Sequence, residues 1–172
     1  MDHTGGPLAR YRAGMVTIAE RPPAKPRLPI RDLAPDVYRA MVELDRAVRQ
    51  AGLEPTVQQL VKVRASQLNG CAYCIDLHTR EARQSGETER RLYALSAWRE
   101  APFFTPRERA ALALTDAVTL LAGTHVPDEV YAEAARQFEQ RELAALIFTI
   151  AVINAWNRIA VAARVVPRPE WT

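Results

Sequence analysis

Cysteine is scarce in this sequence: the 172 residues include only two, Cys71 and Cys74, and both lie in one short stretch. So few cysteines exclude a small scaffold held together by several disulfides. The chain is instead long enough to bury a sizeable apolar core as one domain. Hydrophobic residues make up 48% of it and charged residues 25%, both ordinary for a globular protein.

The sequence also lacks a long hydrophobic run and an excess of charge of one sign. The longest apolar stretch, LAALIFTIAVI at residues 143–153, is shorter than the ~20 residues that span a bilayer. The N-terminal MDHTGGPLARYR has no apolar segment typical of a signal peptide. The net charge is only +3, with both signs mixed along the chain, which indicates a solvated surface. We therefore expect a cytoplasmic protein that binds neither nucleic acid nor a membrane.

Strand-like alternation of apolar and polar residues is absent as well. After residue 35 the apolar residues recur at three- and four-residue spacing, which is typical of amphipathic helices. Helix boundaries are predicted by capping signals, namely Pro55, Asn69-Gly70, Thr88, the Thr105–Glu108 capping box and Pro127. A long last helix is predicted over about residues 142–165. The fold class is therefore predicted to be all-α, a bundle of six or seven helices.

Residues 1–35 differ from the rest of the chain. The segment AERPPAKPRLPIRDLAP contains five prolines, which disfavour a regular helix. We interpret residues 1–35 as an extended N-terminal arm and residues 36–172 as one helical domain.

The chemistry of the chain is concentrated in NGCAYCIDLH, residues 69–78, which holds both cysteines and one of the three histidines. Asn69 and Gly70 predict a turn, so that Cys71 lies at the start of the next helix. Spacings of three and four residues then place Cys71, Cys74 and His78 on one helix face. The positive end of the helix dipole favours a thiolate, most strongly at Cys71. The stretch predicts a redox-active thiol pair with a base beside it.

Other interpretations of the cysteine pair stay open. Two buried, inert cysteines are one. A structural zinc ion normally takes four ligands, of which this helix supplies at most three, so a metal site would have to share ligands between subunits. A disulfide between Cys71 and Cys74 would close too small a loop to constrain the unfolded chain. A thioredoxin-like fold is excluded, because the CxxC motif there follows a strand and here follows a helix. We expect no bound metal and no bound cofactor.

The segment SQLNGCAYCIDLHT and the closing INAWNR resemble the AhpD-like alkylhydroperoxidases of the carboxymuconolactone decarboxylase superfamily, and the resemblance extends over about residues 30–165. It implies an all-helical subunit that assembles into homo-oligomers, trimers or hexamers, with the CxxC motif in a pocket between helices. It also implies that Cys74 attacks a small-molecule hydroperoxide and that Cys71 resolves the product to a disulfide. An external dithiol electron donor, a lipoyl-protein or a thioredoxin-like protein, then restores both thiols.

Two positions depart from the pattern of that family. The glutamate of its proton relay lies twelve residues before the first cysteine, where this chain has Gln59. Glutamine forms hydrogen bonds but does not take up a proton. The histidine between the family's two cysteines is replaced by Tyr73. The relay then rests on His78, with Gln59 in an orienting role, or peroxidase turnover is weak.

Two further functions stay open at this stage. A decarboxylase or lactone-processing enzyme like the namesake of the superfamily would not need the cysteine pair. A redox sensor, in which the CxxC motif acts as a switch without turnover, is kept open by Gln59. Among the other polar residues, Ser66 is a candidate for the pocket. Asn154, Asn157 and Arg158 are predicted to form an interhelical hydrogen-bond cluster.

Overall fold

The computed structural model describes residues 25–167 and shows an all-helical protein, as predicted. Within these residues the α-helices are α1 (Ile30–Leu33), α2 (Pro35–Arg49), α3 (Pro55–Leu68), α4 (Ala72–Gln84), α5 (Glu89–Ala94), α6 (Pro106–Thr119), α7 (Leu121–Thr124), α8 (Asp128–Gln137) and α9 (Gln140–Ala163). A 3₁₀ turn, Leu95–Ala97, follows α5. The two helices beyond the predicted six or seven are α1 and α7, which are single turns of four residues each.

The capping signals read from the sequence define several of the boundaries. Thr105 and Glu108 form the predicted capping box at the start of α6, each side chain bonding the backbone N–H of the other residue. Thr88 accepts a hydrogen bond from the backbone of Arg91 at the start of α5. Pro35 and Pro55 occupy the first turns of α2 and α3, where no backbone N–H is required.

The predicted N-terminal arm, residues 1–35, lies mostly outside the described residues. Its described end differs from a purely extended segment, because Ile30–Leu33 forms a helical turn. This turn fits between Pro29, which precedes it, and Pro35, which begins the next helix, so neither proline interrupts a helix interior. The proposed division into an arm and a helical domain stays a prediction.

Helix α3 lies at the centre of the molecule and contributes to three apolar clusters. Val57 and Val61 pack with α6, α8 and α9, whereas Leu60 and Val63 pack with the segment that holds Trp98 and Phe104. The third cluster joins Ala65 of α3 to Cys71, Cys74, Ile153 and Ala160. The thiol pair is therefore part of the core and is held by α3, α4 and α9 together.

Helix α9 is long and apolar enough to cross a membrane by length and composition, with a mean hydropathy of 1.6 over its most apolar window. Half of that window is buried inside the protein, and α9 packs against α2, α3, α4 and α6. The buried half of α9 therefore forms part of the protein core. Its outward face leaves Phe148 and Val161 exposed.

Candidate active site

The two cysteines are brought together by the turn between α3 and α4. Gly70 adopts a left-handed φ of 63°, and the N–H groups of Gly70 and Cys71 donate back to the carbonyls of Gln67 and Ser66 at 3.2 and 3.0 Å. This double hydrogen bond is the Schellman pattern, in which glycine is favoured at the left-handed position. Cys71 thereby becomes the N-cap of α4, and Cys74 lies one turn further along the same face.

The thiols are buried, free and in contact. The sulfur atoms of Cys71 and Cys74 lie 2.7 Å apart, and neither residue is more than 4% exposed. A disulfide bond measures about 2.05 Å, so the sulfur atoms need to approach by only about 0.7 Å to form one. The prediction that the two thiols lie close together on one helix face is therefore confirmed.

The negative charge of the pair favours Cys71 when both residues are reduced. The hydrogen bond from the Cys74 thiol, helped by backbone N–H groups at the start of α4, lowers the pKa of Cys71 to about 7. The same interaction and burial raise the pKa of Cys74 above its usual range. At neutral pH the pair is therefore about half ionised, and in the ionised form the two sulfur atoms share one proton, with the negative charge mainly on Cys71.

An amide cluster lies beneath the thiols. The side chain of Asn69 donates to the side-chain oxygens of Asn154 and Asn157, both at 2.9 Å, and Asn157 donates to Ser66 Oγ at 3.0 Å. Arg158 donates to the side-chain oxygen of Asn154 at 2.8 Å. The predicted interhelical cluster is thus confirmed, and Ser66 belongs to it. Asn157 also forms a hydrogen bond that lowers the pKa of Cys71.

An Asn157→Ala variant is expected to raise the pKa of Cys71 above about 7, because the thiolate loses a hydrogen-bond donor in a buried site. The measurement is the rate of iodoacetamide alkylation of the reduced protein against pH, followed by intact mass. Asn154→Ala is the matched control, since Asn154 is a buried amide of the same cluster that bonds Asn69 and Thr119. Equal alkylation profiles in the two variants would contradict a contribution of Asn157 to the thiolate.

His78 lies on the same face of α4 as the thiols and is only 5% exposed. Within residues 25–167 its hydrogen bond goes from Nδ1 to Glu81 Oε2, at 3.1 Å, and not to either thiol. The base predicted beside the thiols therefore bonds Glu81, one turn further along α4. Gln59 Nε2 donates to the same carboxylate oxygen at 3.2 Å. A carboxylate thus reaches His78 even though position 59 is an amide.

Charged groups from two other helices surround this pair. Arg49 Nη1 lies 3.5 Å from Glu81 Oε2, and Arg49 Nε donates to Asp45 at 2.7 Å. The amine of Lys62, a residue only 1% exposed, bonds Asp45 at 3.2 Å. Two carboxylates and two cations therefore balance one another around the imidazole.

These surroundings define the protonation of His78 and Glu81. Burial lowers the pKa of His78 below its usual value, and this effect, together with the charges of Lys62 and Arg49, outweighs the opposite influence of Glu81. The hydrogen bond with His78 lowers the pKa of Glu81 to about 2. At neutral pH the imidazole is therefore neutral, and the carboxylate beside it is ionised.

An apolar cavity of about 200 Å³ opens onto Cys74 and His78. Its walls come from α2, α4 and α9 and include Tyr38, Val42, Leu77, Trp156 and Ile159. The rings of Tyr38 and Trp156 meet edge to face with their centroids 5.3 Å apart. Cys71 lies on a separate recess beside Gly70 and Arg164. A small apolar molecule in the cavity that Cys74 lines would therefore meet that sulfur and not Cys71.

The four residues predicted for the site, Cys71, Cys74, His78 and Gln59, are brought into one connected region. Sequence reasoning missed Glu81, although it lies three residues after His78 and seven after Cys74, a spacing that could have identified it. It also missed Asp45, Arg49 and Lys62, for which the sequence alone offers no signal. Among the described residues no cluster of three or more His, Cys, Asp or Glu side chains could hold a metal ion.

Comparison with known proteins identifies the family. The family model described as the carboxymuconolactone decarboxylase family matches residues 35–117. The uncharacterized protein YdfG of Bacillus subtilis (strain 168) is 40% identical over 136 residues, which cover 79% of this chain and 92% of YdfG. A crystal structure from Agrobacterium tumefaciens, of a protein of unknown function described as a putative antioxidant defence protein AhpD, has 38% sequence identity. It superimposes with a TM-score of 0.82 over 84% of this chain and 99% of that one.

More distant structures share the fold. An uncharacterized peroxidase-related protein from Ralstonia eutropha JMP134, described as an alkylhydroperoxidase AhpD core, is 21% identical, with a TM-score of 0.73 over 82% of this chain and 75% of that one. The region that the family model matches, residues 35–117, contains the turn at Gly70, both thiols and His78. The chain belongs to the carboxymuconolactone decarboxylase family, in its AhpD-like branch.

Proposed function

We propose that this protein is a CxxC-dependent peroxidase that reduces small apolar hydroperoxides with electrons from an external dithiol. The observation that carries the proposal is the contact of two free thiols at a helix start, of which one opens onto an apolar cavity beside a buried histidine. The family includes proteins described as peroxidase-related and as a putative antioxidant defence protein, which is consistent with this chemistry.

The first step is attack by Cys74 on the hydroperoxide. The resting charge lies on Cys71, so transfer of the proton from Cys74 Sγ to Cys71 Sγ, across 2.7 Å, creates the attacking thiolate. Sulfur bonds to the outer peroxide oxygen, the O–O bond breaks, and Cys74 becomes a sulfenic acid. The alkoxide that leaves takes up a proton from solvent and departs as the alcohol, while neutral His78 serves as the base for the proton that the thiol pair gives up.

The second step is resolution by Cys71. Its thiolate attacks the Cys74 sulfur, the S–O bond breaks, and hydroxide leaves with the Cys71 proton as water. The product is a Cys71–Cys74 disulfide. Exchange with a dithiol donor then restores both thiols and leaves the donor as its disulfide. Overall, one hydroperoxide and one dithiol give one alcohol, one water and one oxidised donor.

Access decides which cysteine attacks in this proposal. Cys71 is the better-stabilised thiolate, but it lies on the separate recess and not on the cavity. Cys74 lines the cavity together with His78, Tyr38 and Trp156. The walls are largely apolar, which favours an organic hydroperoxide over hydrogen peroxide.

The test is hydroperoxide consumption by the wild-type protein with dithiothreitol, dihydrolipoamide or a thioredoxin system as the donor. We expect catalytic consumption, with cumene hydroperoxide faster than hydrogen peroxide, and none in a Cys71→Ser/Cys74→Ser protein. Consumption by the double variant would contradict the proposal. A wild-type protein that forms the disulfide once and does not turn over with any donor would also contradict it, and would indicate a redox switch.

A further inference from the structure

One oxygen of Glu81 is the meeting point of three helices. Glu81 Oε2 lies 3.1 Å from His78 Nδ1 on α4, 3.2 Å from Gln59 Nε2 on α3 and 3.5 Å from Arg49 Nη1 on α2. The Glu81 side chain is about a quarter exposed, whereas that of His78 is almost fully buried. The carboxylate is therefore held in place from three sides, and in its contact with His78 the imidazole is the more buried partner.

This contact fixes the position of the proton on the imidazole. An ionised carboxylate is only an acceptor, so the nitrogen that faces it must carry the hydrogen. A neutral histidine carries one ring hydrogen, so Nε2 is then left as an acceptor. A carboxylate that bonds one ring nitrogen in this way fixes the tautomer and orientation of the ring and makes the other nitrogen more basic.

We propose that Glu81 is the positioning residue of the thiol site, holding His78 as the Nδ1–H tautomer so that Nε2 is free for proton transfer at the cavity. Gln59 takes part as the donor that aims the carboxylate. The consequence for turnover rests on the peroxidase proposed above, whereas the tautomer assignment does not. An ordinary i,i+3 ion pair on α4 would stabilise the helix slightly but would not require Gln59 or a fixed tautomer.

The charged groups around His78 come from three helices. Arg49 and Asp45 lie on α2, Lys62 lies on α3, and Glu81 lies on α4. Lys62 and Arg49 lower the pKa of His78, and Glu81 raises it. Removal of the Glu81 charge alone leaves both cations in place. The pKa of His78 must then fall further.

The first experiment records ¹⁵N–¹H correlation spectra of the imidazoles, with His78 assigned by a His78→Gln protein. We expect Nδ1–H in the wild type, and loss of that single tautomer together with a lower His78 pKa in Glu81→Gln. Asp76→Asn is the control, because Asp76 is a carboxylate of the same helix that pairs with Arg80. An Nε2–H tautomer in the wild type, or unchanged spectra in Glu81→Gln, would overturn the proposal.

The second experiment measures kcat/KM against pH. The acid limb contains two transitions, that of the thiol pair near pH 7 and that of His78 at lower pH. In Glu81→Gln the second transition should move to still lower pH, since the base has a lower pKa, and the plateau should fall about tenfold to a hundredfold, the usual cost of losing an orienting partner. Glu81→Asp should recover part of the rate. If the wild type shows no turnover, the peroxidase proposal fails, and the spectra still decide the role of Glu81.

A reciprocal exchange gives the sharpest version of this test. Gln59→Glu/Glu81→Gln moves the carboxylate to the neighbouring position of the hydrogen-bonded pair while keeping one amide and one carboxylate. We expect its pH profile to return toward that of the wild type. Gln59→Glu alone should shift the acid limb to higher pH, because a second negative charge raises the pKa of His78. An exchange variant no better than Glu81→Gln would contradict the assigned role.

Discussion

Cys74→Ser is expected to abolish hydroperoxide consumption, and Cys71→Ser is expected to limit it to one equivalent of hydroperoxide per chain. Cys74 lines the cavity that a hydroperoxide would enter, whereas Cys71 lies on the separate recess. Removal of Cys74 therefore removes the sulfur that an apolar ligand can reach. Removal of Cys71 leaves that sulfur but no partner for the disulfide, so the sulfenic acid accumulates. In both variants kcat should fall to the background rate.

Chemical trapping of the sulfenic acid, and not turnover, distinguishes the two single variants. We expect Cys71→Ser to give one dimedone adduct per chain after treatment with cumene hydroperoxide, observed by intact mass and mapped to Cys74. Cys74→Ser should give none. The opposite pattern would assign the attack to Cys71, which its lowered pKa favours. This comparison therefore decides between thiolate stability and cavity access as the property that selects the attacking residue.

The largest expected loss of stability comes from Asp116→Ala, at about 3–5 kcal/mol of unfolding free energy, the usual cost of breaking a buried ion pair. Asp116 on α6 is 7% exposed and receives hydrogen bonds from Arg64 at 2.7 and 3.2 Å, from Arg99 at 2.6 Å and from the Trp98 ring nitrogen at 3.3 Å. Its removal leaves the Arg64 guanidinium, only 11% exposed, without its countercharge.

Urea denaturation measures this loss, with Asp36→Ala as the control. Asp36 also pairs with an arginine, Arg39, but both side chains are well exposed, so the control should be close to neutral. A double variant, Asp116→Ala/Arg64→Met, should recover part of the stability, because no unpaired buried charge remains. A loss below about 1 kcal/mol in Asp116→Ala would show that Arg64 finds sufficient compensation elsewhere.

The helices could be predicted because their boundaries depend on local chemistry. The Thr105–Glu108 capping box and the prolines in the first turns act within a few residues, and the structure uses them as the sequence suggests. At Asn69-Gly70 both residue types tolerate a positive φ, but only Gly70 adopts it. The Asn69 side chain instead bonds the amides of Asn154 and Asn157 on α9. These partners lie 85 and 88 positions further along the chain, so local chemistry does not reveal the contact.

The site residues that lie together on α4 could be predicted from the sequence, whereas the contacts that α4 makes with other helices could not. The spacing of Cys71, Cys74 and His78 placed them together because one helix fixes their geometry. The family pattern predicts a carboxylate partner for His78 at position 59, on the preceding helix, where this chain has glutamine. Glu81 supplies it from α4 itself and meets Gln59 only after the two helices pack. The contributions of Arg49 and Lys62 likewise depend on packing angles that no periodicity encodes.

The cavity has one further consequence, for how this site can diverge. The two thiols, His78 and Glu81 all lie on α4 or its N-cap, whereas Tyr38 and Val42 of the apolar wall lie on α2. Only one of the fifteen residues of α2, Val48, is buried. Substitutions at Tyr38 and Val42 can therefore reshape the space for a ligand at little cost to folding, whereas Asp45 and Arg49 of the same helix also hold the charges around His78. Part of the ligand preference thus lies outside the helix that holds the redox residues, and this part can drift, or be redesigned, while the thiol chemistry is kept.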